Sequence, residues 1–373
     1  MSTEIIRNTE GTVFDGCDFV IRLNEKRKIR ILQLTDMQAI DSTQRRTPDR
    51  LRSDEIKAWE PENFDALCGD HIRSVVAQAR PDLIIITGDM TYGSFDDTGS
   101  TLLWLCRLMD SFSIPWAPVF GNHDNESRMG VAWQCRQLEE SRYCVFRRGS
   151  VSGNGNYTVG VAVGDELIRV LHMTDSNGCS ASEDESVIKT KGIYPDQMDR
   201  IRAVTKTIRK AQKRSVKAFM AFHIHVDVFA EAERAKGYRT DERSSYTIGV
   251  DVPAQDGDFG CKTEDLRKGV IETGEGFTDF LKECDVDGVF VGHCHGINTC
   301  VQYNGIKWVY GLKTGQYDYH NVGQLGGTLI TVEGDEFDVT HVPSLTILGA
   351  YPRKSPILNG LVTEERENGK ELY

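Results

Sequence analysis

No apolar run in this 373-residue chain approaches the roughly 18 residues a bilayer-spanning helix needs. The opening stretch, Met1 to Gly16, carries acidic residues and no apolar core before a small-residue cleavage site, so it does not read as a secretory signal. An excess of basic residues is also missing. Lys plus Arg number 44 against 56 Asp plus Glu, for a formal net charge of -12, which argues against holding nucleic acid or anionic lipid by bulk charge. The ten cysteines include no C-x-x-C pair, a distribution that favours free thiols in a reducing cytosol over a disulfide framework. Short-period repeats, low-complexity segments and a marked linker are lacking too. The expectation is a cytoplasmic protein without membrane or nucleic-acid partners, with one catalytic domain over residues 1–345 and a tail over 346–373. Nothing in the chain indicates its oligomeric state.

What is present is an ordinary globular composition, 39 % hydrophobic, in a chain long enough for a sizeable core. Short β-branched runs alternate with helical patterns, the mark of a layered α/β fold. Strands are expected over 13–23, 28–34, 82–86, 116–120, 156–163, 166–173, 218–222 and 286–291, and further strands follow to about Pro343. Helices are expected over 65–79, 101–110 and 195–215. The last carries Ile201, Val204, Ile208 and Ala211 at helical spacing, with Lys and Arg on its other face. Residues 238–269, polar and glycine-rich, read as an insertion or lid.

Several of the strands deliver polar residues at their carboxyl ends, where open α/β sheets bind ligands. These residues are Asp36, Asp89, Asn122, His223 and the pair His293 and His295. Asp and His suit borderline divalent or trivalent metals, and a carboxylate can bridge two ions. One site for two metals is implied.

The ordered series Thr35-Asp36-Met37-Gln38, Gly88-Asp89-Met90-Thr91-Tyr92, Gly121-Asn122-His123-Asp124, His223 and Gly292-His293-Cys294-His295 resembles the calcineurin-like metallophosphoesterases, especially their purple-acid-phosphatase-like members. The likeness covers roughly residues 28 to 345. It implies a four-layer α/β/β/α sandwich and two ions, iron, manganese or zinc, acting on a small phosphate ester. Asp36 and His295 would hold the first metal, Asp89 would bridge, and Asn122, His223 and His293 would hold the second. A hydroxide formed between the ions would attack phosphorus, with His123 as general acid and Asp124 orienting it. A phosphomonoesterase leads, with a phosphodiesterase on nucleotide or lipid-type substrates and a non-catalytic metal- or phosphate-binding module as alternatives.

One position departs from the pattern. Most of the family reads D-x-H at the first strand, and here the third residue is Gln38. Its amide oxygen is a weaker ligand than imidazole. Purple acid phosphatases compensate with a tyrosinate spaced as Tyr92 is, which would predict ferric iron and colour. Either Gln38 or Tyr92 could complete the first metal site. Other residues carry looser expectations: Arg45, Arg46 and Arg50 as a phosphate fork, His225 lining the cleft, Cys294 as packing, and His320 at the cleft rim.

Overall fold

The computed structural model describes residues 3–25, 28–41, 43–46, 59, 64–237, 270–274, 276–318 and 325–345. The segment expected as an insertion (238–269), the expected tail (346–373), Arg50 and His320 lie outside these residues. The strands are β1 (Glu4–Ile6), β2 (Phe19–Leu23), β3 (Ile29–Leu34), β4 (Leu83–Thr87), β5 (Trp116–Val119), β6 (Tyr157–Val163), β7 (Glu166–Met173), β8 (Ala218–Ala221), β9 (Val286–Val291), β10 (Cys300–Tyr303), β11 (Ile306–Tyr310), β12 (Gly326–Glu333) and β13 (Glu336–Pro343). Six α-helices accompany them among the described residues: α1 (Phe64–Ala79), α2 (Ser100–Ser111), α3 (Val131–Glu140), α4 (Pro195–Gln212), α5 (Val228–Lys236) and α6 (Phe277–Glu283).

Eight strands form one sheet in the order β1-β2-β6-β7-β8-β9-β11-β10, and five form the other in the order β13-β12-β3-β4-β5. The run β3-β4-β5 is parallel, as is the run β7-β8-β9-β11. Parallel strands need both faces covered, and the sequence supplies apolar residues for both. In β4 all five residues are buried.

Strand alternation builds the layers. Phe19, Ile21 and Leu23 of β2, Phe219 and Ala221 of β8 and Val309 of β11 join one core with Ile31, Leu32, Ile84 and Ile85 of the second sheet. Their neighbours Val20, Met220, Trp308 and Tyr310 join another core with Ile201, Ile208, Phe229 and Phe280 of the helices. On the far side α1 packs against β3, β12 and β13 through Cys68, Ile72, Val75 and Ala79, spaced for one helical face. The result is an α/β/β/α sandwich.

Arg169 sits fully buried where the sheets meet. Its Nη1 donates to both carboxylate oxygens of Asp287, its Nη2 donates to the Asp335 carbonyl, and the guanidinium carbon lies 4.5 Å from the Phe219 ring centroid. A buried guanidinium is tolerated only when so engaged.

Local chemistry shifts some boundaries. The expected strand from Val13 begins at Phe19 instead, because residues 12–17 coil into turns closed by Asp15 N donating to Thr12 O and Cys17 N to Phe14 O. Helix α4 stops at Gln212, where Lys213 turns left-handed at φ 55°. Helices α3, α5 and α6 were not among the expected elements.

Two of the buried histidines, His71 of α1 and His172 of β7, lie within these elements. His71 bonds Ser344 Oγ at 2.9 Å and His172 lies 3.3 Å from Thr158 Oγ1. Burial lowers both to about 3, from 6.5; the Arg200 cation adds to the effect at His172. As pH falls below 6.5 the unfolded chain takes up these protons before the folded one does, so stability drops between about pH 6.5 and 3. The slope is about 1.4 kcal/mol per pH unit for each histidine. His71→Asn is expected to remove one such increment. Urea unfolding at pH 7, 6 and 5 checks this: wild type and variant curves that fall in parallel would exclude it.

Candidate metal centre

The loop after β3 and the loop after β4 continue the strand pairing past the sheet. Asp36 N donates to Gly88 O, Gln38 N to Asp89 O, Ala39 N to Met90 O and Tyr92 N to Ala39 O. Asp36, Gln38 and Asp89 take left-handed backbone, with φ of 50°, 45° and 50°, and His293 does so at 71°. Such backbone costs non-glycine residues of order 1 kcal/mol each, and its concentration at four strand-end residues marks a place built for something other than stability.

Glycines make room for these side chains. A Cβ on Gly121 would lie 2.1 Å from Asp89 Oδ1, and one on Gly292 would lie 2.0 Å from Thr35 Oγ1 and 2.6 Å from Asp36 Oδ2. The motif glycines are therefore the gaps through which carboxylates of neighbouring strands reach the centre.

Asp36, Asp89 and His295 place ligand atoms within 4.8 Å of one another, all three buried. His295 Nε2 lies 3.1 Å from Asp36 Oδ1, while Asp36 Oδ2 accepts from Thr35 Oγ1 and His293 N. On the other side of Asp89, His223 Nε2 is 3.3 Å from Asp89 Oδ2 and 3.2 Å from Asn122 Oδ1. His223 Nδ1 is 2.8 Å from the Thr87 carbonyl, which fixes its proton there and turns Nε2 toward the centre. His293 completes the group, its ring 5.1 Å from that of His223.

Burial opposes ionisation of both carboxylates. His295 and His223 nevertheless hold Asp36 well below the usual carboxylate range, and His223 and His123 do the same for Asp89. Against its own burial, His223 is raised to about 9 by Asp89 and Asp36. Burial and the neighbouring His223 and His225 keep His293 well below its ordinary value, so its ring is neutral and able to ligate. Among the described residues Asp89 Oδ2 has no hydrogen-bond partner. The Asp89 carboxylate and the Asn122 amide oxygen converge on His223 Nε2, where a cation can take the place of the imidazolium proton, an arrangement that fits a metal ion.

His123 begins a short 3₁₀ turn, Asp124–Glu126. Its Nδ1 lies 2.9 Å from Glu126 Oε2, and its backbone N–H donates to Asp89 Oδ1. Burial would strip its proton, but Asp89, Glu126 and Asp318 lift it to about 9. Glu126, rather than the expected Asp124, orients the His123 ring. Asp124 accepts from the backbone N–H groups of Met90, Thr91 and Gly121 and from Thr91 Oγ1, stapling the two motif loops together, and the His123 ring bonds Glu126 instead. Burial, then the Asp89 charge, raises Asp124 to about 7. The reason is geometric: residues three apart eclipse on a 3₁₀ turn, whereas adjacent ones diverge.

Gln38 is buried, and its Oε1 accepts from Lys313 Nζ at 2.7 Å; Lys313 also donates to Asp36 O at 2.9 Å. Tyr92 packs among Trp59 and Phe95, its ring 4.6 Å from that of His123. Arg46 pairs with Asp97 at 2.7 Å and covers the Phe95 ring, and Arg45 donates to Gln44 O, so the expected fork is not formed by these two. Cys294 is buried, its Sγ 3.4 Å from His225 Nδ1. A groove of about 600 Å³ opens beside the Glu126 carboxylate, lined in part by Arg46, Arg128, Met129 and Asp184. Glu126 and Lys313 are absent from the sequence-level set. The i+3 spacing from His123 signals the first, and nothing local signals the second.

The calcineurin-like phosphoesterase family model matches residues 29–296. The chain belongs to that family. Membership implies phosphate-ester substrates and a dinuclear metal site, for which the donors just described are the fit. Among relatives, Probable inactive purple acid phosphatase 14 of Arabidopsis thaliana is 24 % identical over 338 residues, covering 84 % of this chain and 77 % of that protein. Probable inactive purple acid phosphatase 28 of the same plant is 24 % identical, covering 68 % and 62 %. Among solved structures, a dimetal phosphatase from Danio rerio aligns with 12 % identity over 85 % of this chain and 96 % of that one, with a TM-score of 0.47. No described helix is long and apolar enough to cross a membrane.

Gly292→Ala should weaken manganese binding roughly tenfold or more by pushing Asp36 off position. Calorimetric titration reads the affinity and a thermal melt confirms folding; unchanged affinity in a folded variant would remove Asp36 from the ligand set.

Proposed function

We propose that this family member is a metal-dependent phosphomonoesterase. Asp36, Asp89 and His295 would hold the first metal, and Asp89, Asn122, His223 and His293 the second. When bound, the pair acidifies a water and neutralises charge on the phosphoryl oxygens. The observation that carries the reading is the placement of His123 beside that donor set, its Nδ1 2.9 Å from Glu126 Oε2 and its backbone N–H on Asp89 Oδ1.

The roles of the chain's own residues follow. Glu126 accepts the Nδ1 proton of His123 and fixes the ring, leaving Nε2–H to meet the leaving oxygen. The Asp89 bond to the His123 backbone ties the acid to the bridging carboxylate, so acid and donors keep one spacing. Asn122 contributes a neutral oxygen that adds no further negative charge. The groove beside Glu126 is where the alcohol portion of the ester would lie, with Arg46 and Arg128 on its wall. The Tyr92 spacing supports a monoester over a diester.

A general acid matters most for poor leaving groups. His123→Asn should cut turnover of an alkyl or phenyl monoester by about 10²- to 10⁴-fold and cost far less with a nitrophenyl ester, while Glu126→Gln gives the same pattern in milder form. Steady-state kinetics on a leaving-group series decides. Equal losses across the series would remove His123 as the acid; faster hydrolysis of a bis-aryl diester would make the diesterase reading the better one; absence of any metal-stimulated turnover would favour a binding module.

A further inference from the structure

The chain places glutamine where its family mostly places histidine, and the structure shows what occupies that glutamine. An ammonium can only donate, so the atom 2.7 Å from Lys313 Nζ has to be the amide oxygen of Gln38. The amide orientation is therefore fixed. Its Nε2, a donor and hence no ligand, points away and has no hydrogen-bond partner among the described residues. The second acceptor of Lys313 is the carbonyl of Asp36, so the lysine grips both polar residues of the first motif loop.

This grip is built into the fold. Lys313 is 2 % exposed and lies on the segment that carries the chain from β11 in one sheet to β12 in the other. The same segment is pinned by Thr314 N donating to Thr35 O and Gly315 N to Asp36 O, and a Cβ on Gly315 would lie 1.9 Å from Met37 O. These contacts hold the backbone beside Lys313 against the first motif loop.

We propose that Lys313 is a fixed cation that takes Gln38 out of the metal-ligand set, so that the two metal positions load unequally: the second tightly, the first weakly. The inference rests on the dinuclear reading above. The donor count supports it. The second position has four candidate protein donors, Asp89, Asn122, His223 and His293. The first has Asp36 and His295 of its own, shares Asp89, and has an ammonium at the oxygen that could have been a fourth. A second positive charge on one amide oxygen is unfavourable, and a group beside a first ligand typically changes metal affinity by about 10- to 100-fold. Lys313 is thus a positioning residue: it acts through Gln38 and Asp36.

The test is metal loading of the full chain, with manganese(II) alone as probe. Metal-stripped protein is titrated by calorimetry while electron paramagnetic resonance follows each addition. The expected wild-type result is two steps at least tenfold apart, an isolated six-line spectrum in the first and an exchange-coupled signal in the second. Lys313→Met should tighten the weak step about tenfold and leave the tight one in place, and the Lys313→Met, Gln38→His double variant should bring the steps together. Gln38→Leu, which keeps the lysine, should leave the weak step unmoved, and it decides the matter even if Lys313→Met does not fold. Two equal wild-type steps, a tenfold weakening in Gln38→Leu, or no response to Lys313→Met would each overturn the inference while leaving the phosphoesterase reading intact. No manganese binding at all would overturn both.

Discussion

Two buried carboxylates facing each other's ligands are the constraint around which this molecule is arranged. Asp36 and Asp89 remain ionised in a place where burial should protonate them, and they do so because positive charge is supplied from His223, His295, His123 and Lys313. Remove that balance and each carboxylate becomes an unpaired buried charge, among the costliest defects a core can carry. The left-handed backbone at Asp36, Asp89 and His293 and the bare glycines at 121 and 292 are the steric conditions for keeping the carboxylates close enough to share a cation.

Legibility in the sequence follows the range of each interaction. Buried parallel strands announce themselves by continuous apolar runs, as Leu83–Ile86 does, and a polar residue just past such a run has only the sheet edge to occupy; this is why Asp36, Asp89, Asn122, His223, His293 and His295 could be picked out as strand-end residues from the chain. Asp124 was misread for want of backbone geometry, since a neighbour in sequence is not a neighbour on a tight turn, and Glu126 three positions on has the right phase. Lys313 meets Gln38 across 275 residues. No local pattern can encode that meeting, because it depends on how the β11–β12 connection crosses between sheets. Short helices such as α6 were missed because seven residues give a helical period little room to show.

The sandwich has its own version of the same logic. Arg169 is a cation placed between sheets whose facing surfaces are largely apolar, and it is accepted because Asp287, the Asp335 carbonyl and two aromatic faces surround it. A greasy interface alone lets two sheets slide to several near-equivalent offsets. A directional guanidinium bonded through Nη1 and Nη2 favours one offset, and only one offset brings the tips of β3 and β4 opposite those of β8 and β9.

The turn holding His123 and Glu126 has a further meaning. Its ring and carboxylate belong to one four-residue stretch, whereas the candidate ion donors are gathered from positions 36 to 295. The two parts answer to different mutational pressures. A lineage could discard the proton donor by altering a single position and retain an intact ion cradle, passing from catalyst to sensor or scaffold with its architecture unchanged.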